Sequence, residues 1–147
     1  MTGAMPDRGV IERRLTYLID AVQVLREYRG MTLDELAASP KVYWAVQHGL
    51  QLCVQSVLDV ASHCVASLGG PVPDRYRDNI SALAPLGILP KAFAERMAPM
   101  AGFRNILVHE YTAVDLREVH RVLTEQLDDF VEFAQHVNAY LEQQRDQ

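Results

Sequence analysis

Apolar residues recur along this chain at helical spacing almost from end to end. Ile11, Leu15, Leu18, Val22 and Leu25 follow one another at steps of three and four, which predicts an amphipathic helix that Gly30 ends. Thr32 and Glu35 have the spacing of a capping box, predicting a short turn of helix over 32–38. Ser39 and Pro40 suit the N-cap and first position of a longer helix running to about Leu68. Its apolar stripe is Val42, Val46, Leu50, Cys53, Val57, Ala61, Cys64 and Leu68, and Gly69-Gly70 stops it. Residues 69–74, with Pro71 and Pro73, read as a loop. A short helix is expected over 76–86, and Pro90 opens another that reaches Met97–Met100. Pro99 and Gly102 are expected to disturb the backbone before Phe103. A final helix is expected from its N-cap Asp115 to about Gln143, with Leu116, Val119, Leu123, Leu127, Phe130, Ala134, Val137 and Leu141 on one face.

No stretch alternates with period two, so the expected fold class is all-α, an up-and-down helical bundle whose stripes form its core. The 147 residues suit a single domain, 1–147, with residues 1–9 expected to be a flexible N-terminus. A domain of this length buries roughly 70% of its unfolded surface, so it needs neither metal nor disulfide to fold. Cys53 and Cys64 lie on the same predicted helix, about 16 Å apart at 1.5 Å per residue, too far to be bridged. They are expected to be buried thiols in a reducing compartment. The N-terminus lacks an apolar leader segment and no apolar run approaches a membrane span, so the expected location is the cytoplasm.

Charge sharpens the picture only locally. The net charge of −5 argues against a broad nucleic-acid-binding surface. Residues 75–104, however, carry five basic groups (Arg75, Arg77, Lys91, Arg96, Arg104) against two acidic ones. Residues 105–147 carry three against nine. The positive segment leads directly into the most unusual stretch of the chain.

The familiar metal, dinucleotide and P-loop signatures are absent. Asp59 and His63 are four apart on a helix, but two ligands alone make a poor metal site, and a local hydrogen-bonded pair is the simpler expectation. His48, His120 and His136 are expected to be structural, and Tyr43 and Trp44 to serve packing or an interface. What remains is Gly102-Phe103-Arg104-Asn105-Ile106-Leu107-Val108-His109-Glu110-Tyr111. It could be a helix end whose polar residues merely cap and pair, or a phosphate-binding site. Its residue types also suit metal-free RNA cleavage. A histidine near neutral pH can take the proton of an attacking 2′-hydroxyl, and an arginine fork can hold the oxygens of the charged phosphorane. Asn105 could donate to a phosphate oxygen or fix the imidazole, and Tyr111 could stack on a base or bond the phosphate. At about 100° per residue, His109 lies roughly 140° around the helix from Arg104. One straight helix therefore does not aim both at a single phosphate. Either the helix breaks near His109, or two chains pool their motifs about a two-fold axis.

Arg104-x4-His109-x-Tyr111 resembles the R-x4-H-x-Y signature of the HepT-type toxins, part of the wider HEPN group. The segments AERMAPMAGFRN (94–105) and YRDNISALAPLGILPKAFAERM (76–97) and the acidic helix after the motif resemble the same family, so the likeness spans about residues 10–142. The resemblance implies a HEPN-like bundle forming a symmetric homodimer or a higher even-numbered oligomer. It implies a metal-independent endoribonuclease without a cofactor, the toxin of a toxin–antitoxin pair. RNA would be its substrate and an MntA-type minimal nucleotidyltransferase its antitoxin. Arg104 would then hold phosphate, His109 would be the general base or acid, Asn105 would assist, and Tyr111 would be the tyrosine that receives AMP. The alternative within the same resemblance is a non-enzymatic nucleotide-binding or substrate-binding companion of a nucleotidyltransferase.

Overall fold

A computed structural model of the chain describes residues 7–68, 75–109 and 116–145. Among them are eight helices and no strand: α1 (Arg8–Arg26), α2 (Leu33–Ala38), α3 (Pro40–Ser67), α4 (Tyr76–Ala82), α5 (Lys91–Met97), α6 (Met100–His109), α7 (Leu116–Glu125) and α8 (Leu127–Arg145). The sequence signals at α2 and α3 are realised atom by atom. Thr32 Oγ1 accepts from the Glu35 amide while the Glu35 carboxylate accepts from the Thr32 amide, closing the capping box. Ser39 caps α3, with Pro40 where its missing N–H costs nothing.

The long helix α3 is the hub of the bundle. It packs against α1, α2, α4, α6, α7 and α8. Leu50, Cys53, Val54, Val57, Leu58, Ala61 and Cys64 are fully buried along it. That is a wider apolar face than a two-helix seam needs, because α3 has neighbours on several sides. Gly49 lets α1 approach closely: a Cβ there would lie 2.8 Å from Leu25 Cδ2. Both thiols are free and buried, and burial pushes each up to about 12.

The structure differs from the sequence expectations at five places. α1 ends at Arg26, four residues before the expected stop at Gly30, and the Glu27 and Tyr28 amides turn back to the Val24 and Leu25 carbonyls. Asp7 caps the first turn of α1 through its side chain, so Arg8 and Gly9, expected in a flexible terminus, are helical; residues 1–6 lie outside the described residues, as does the loop expected over 69–74. The helix expected over 76–86 ends at Ala82. The chain then turns through Gly87, whose φ of 79° suits glycine, while the Ile88 and Leu89 amides return to the Leu83 carbonyl. Gly102 does not disturb the backbone. The interruption falls at Ala98–Pro99, and the Phe103 amide bonds the Pro99 carbonyl in the first turn of α6. The single last helix is two, divided at Gln126, and its expected cap Asp115 lies outside the described residues. The division has a packing cause. α7 lies on α2 and α8 on α1, with α3 touching both, and one straight helix does not follow the α1 and α2 surfaces together. Asp128 and Asp129 suit the new N-terminus, and Arg29 bonds Asp128 at 2.8 Å, holding its carboxyl below the ordinary range.

Candidate active site

α6 carries the unusual stretch. Met100, Phe103 and Leu107 are buried at helical spacing and seat the helix against the rest of the bundle, with α3 and α4 as its neighbours. Arg104 is half-buried at the edge of that face, and Asn105 is exposed. His109 is the last residue of α6; its side chain lies outside the described residues, as does Tyr111 entirely.

Two glutamines of α3 hold α6 in place. Gln47, itself buried, donates from its amide to the Leu107 carbonyl at 3.4 Å. Leu107 belongs to the last turn, whose carbonyls lack intrahelical partners, so the bond satisfies a helix end two residues before His109. Arg104 donates from Nε to the Gln55 amide oxygen at 3.4 Å. The Gln55 nitrogen in turn donates to Asp59 at 2.8 Å, and Asp59 faces Arg14 at 3.7 Å. Gln47 meets Leu107 and Gln55 meets Arg104, so α3 and α6 run in opposite senses. The Nε edge of the arginine fork thus rests on an amide of α3.

Neither glutamine was singled out from sequence. The available signal was Gln47, Gln51 and Gln55 recurring every four residues on an otherwise apolar helix, with Gln47 beside the core residue Val46. The other candidates are engaged elsewhere. Asp59 serves Arg14 and Gln55, and His63 Nε2 accepts from the Asp7 amide at 3.1 Å, so the two are not a local pair. His120 contacts the Met31 carbonyl at 2.8 Å, and His136 contacts Glu132 at 3.1 Å beside the Phe93 ring. Trp44 is 68% exposed rather than packed.

Two grooves flank α6. One, of about 450 Å³, is lined by Tyr43, Trp44, Gln47, His48 and Gln51 of α3. The other, also about 450 Å³, lies between α6 and α7, with Arg96, Phe103, Ile106 and Arg121 among its walls.

The family model described as ribonuclease HepT-like matches residues 18–137, which include Arg104, Asn105, His109 and Tyr111. The chain belongs to the HepT-like ribonuclease family. Its class of chemistry is accordingly that of a ribonuclease. It is similar to the tRNA nuclease HepT of Aphanizomenon flos-aquae, 28% identical over 135 residues, 90% of each chain. It is also similar to the mRNA nuclease HepT of Shewanella oneidensis, 30% identical over 90 residues, 61% of this chain and 68% of the relative. Its fold matches the solved tri-AMPylated Shewanella oneidensis HEPN toxin in complex with MNT antitoxin. That match has a TM-score of 0.78 and 22% identity, and covers 88% of this chain and 97% of that one. No described helix is long and apolar enough to cross a membrane.

Proposed function

We propose that this protein is a metal-independent endoribonuclease toxin whose catalytic groups are Arg104 and His109, assisted by Asn105. In the reaction, His109 takes the proton of a ribose 2′-hydroxyl and that oxygen attacks the adjacent phosphorus. The 5′-oxygen leaves with a proton returned by an imidazolium, and a 2′,3′-cyclic phosphate remains. Arg104 holds the non-bridging oxygens as negative charge builds on them. The observation that carries this reading is the placing of Arg104. It is half-buried at the surface with its Nε on the Gln55 amide oxygen, one residue before the exposed Asn105.

The active assembly is a symmetric homodimer, or a higher even-numbered oligomer built from it. Positions five apart on a regular helix are roughly 140° around its axis from each other, so in this reading the arginine of one chain works with the histidine of the other. Regulation rests on Tyr111. An MntA-type minimal nucleotidyltransferase moves AMP from ATP onto its phenolic oxygen, with pyrophosphate leaving. The added phosphate and adenosine bring negative charge and bulk beside His109 and repel RNA. The toxin and its antitoxin act in the cytoplasm, where both RNA and ATP are at hand.

The test is cleavage of RNA in the presence of EDTA by the wild type, Arg104→Ala and His109→Ala. Each variant is expected to lose about 100-fold or more in rate. Equal rates in all three would overturn the assignment. Tyr111→Phe should cleave as the wild type does and should gain no AMP mass when incubated with the transferase and ATP. AMP found on another residue of that variant would remove Tyr111 from the scheme.

A further inference from the structure

A stripe on the outer face of α3 runs from the single tryptophan of the chain to the arginine of the active site. Trp44, His48, Gln51 and Gln55 recur at steps of four, three and four, so they share one side of the helix. Gln55 ends the stripe at Arg104, and Trp44 begins it about 16 Å away along the axis. Between them lies the groove lined by Tyr43, Trp44, Gln47, His48 and Gln51, within the range of about 300–1,000 Å³ typical of small-ligand sites. Gln47 joins its floor to the end of α6 through the Leu107 carbonyl.

The charge pattern says what kind of molecule follows this stripe. The chain has 19 acidic residues, yet none falls between Pro40 and Leu58 of α3 or between Arg96 and His109. Lys41 stands at one end of the stripe and Arg104 at the other. A large exposed ring, amides and an imidazole on a face whose first carboxylate is Asp59, beyond Gln55 and facing Arg14, match a single-stranded polyanion with aromatic bases. Base stacking on such a ring is insensitive to sequence, and amides hydrogen-bond base edges. An apolar partner would gain little from the glutamines.

We infer that this groove is a substrate subsite. In it Trp44 stacks on an unpaired base of the RNA, a few nucleotides from the scissile phosphate at Arg104, with His48 and Gln51 contacting that base's edge. The inference rests on the ribonuclease reading above and assigns it a residue that sets where along a strand the cut falls. Cleavage then requires unpaired nucleotides on one side of the cut, and Trp44 contributes to substrate binding rather than to the chemical step.

The lone tryptophan makes the test direct. His109→Ala, which holds RNA without cutting it, is titrated with a short single-stranded RNA while fluorescence anisotropy of the labelled RNA and Trp44 emission are followed together. The expected result is quenching of Trp44 in step with binding. Trp44→Ala should raise KM by roughly 5- to 150-fold, the weight of one stacked base. It should leave kcat and the oligomeric state unchanged, and Trp44→Phe should recover most of the loss. RNA that binds without moving Trp44 emission overturns the subsite and leaves the ribonuclease reading standing. So does a Trp44→Ala protein that falls apart into monomers, which would make the ring a contact between copies. If the wild type neither binds nor cuts RNA, the subsite and the ribonuclease reading fall together.

Discussion

Under the proposed mechanism Arg104 is the cation that meets phosphate, and Gln55 is one of the residues that hold it. The Gln55 amide oxygen accepts from the Arg104 Nε, and Gln55 is itself anchored on Asp59, which also faces Arg14. Gln55 is therefore a positioning residue. Gln55→Ala is expected to lower kcat roughly tenfold, because a small misplacement of a catalytic group is costly. KM and the unfolding midpoint should stay near the wild type. A fall in stability as large as the fall in rate would make Gln55 a structural residue only. The cysteines illustrate the opposite case, reactive groups silenced by burial. With their thiols pushed up to about 12, Cys53 and Cys64 hold almost no thiolate at neutral pH. Both should resist alkylation at pH 8 in the native protein and react promptly in denaturant. Fast native alkylation would show that α3 opens readily.

At the level of elements, α3 and α1 meet where Gly49 faces Leu25. In an isolated helix, alanine would improve on this glycine by about 1 kcal/mol. Here the new methyl would lie 2.8 Å from Leu25 Cδ2 and 3.0 Å from its Cγ, inside contact distance. Overpacking of this kind costs about 1–3 kcal/mol, so Gly49→Ala is expected to destabilise on balance. Urea unfolding checks the sign; a stabilised variant would mean that Leu25 has room to turn aside. The same crowding around α3 explains the divided C-terminal helix. Leu123 and Leu127 are both fully buried, as one continuous stripe would have them. They are carried by helices with different neighbours, which no periodicity of the sequence records.

For the molecule as a whole, the decisive question is whether Arg104 and His109 act within one chain or between two. A mixture of Arg104→Ala and His109→Ala proteins, exchanged under mild denaturation and refolded, separates the cases. Composite sites would give half the dimers one intact pair, restoring about a quarter of wild-type activity. Sites within one chain would leave the mixture as inactive as its components. RNA cleavage by the exchanged mixture is the measurement, with each variant refolded alone as its control.

The sequence by itself determined that the chain is helical and where α2 and α3 begin, because helix period and capping chemistry are local. Thr32, Ser39 and Pro40 act as their neighbours in sequence dictate, and the motif from Arg104 to Tyr111 marks the family without any coordinates. Only the tertiary structure decided what lies beside the motif. Gln47 and Gln55 are separated from α6 by about fifty residues of chain, and their pairing with Leu107 and Arg104 is a product of packing. The break at Gln126 and the exposure of Trp44 have the same origin. Each depends on which surfaces a helix meets, and that is set by the whole bundle rather than by any window of residues.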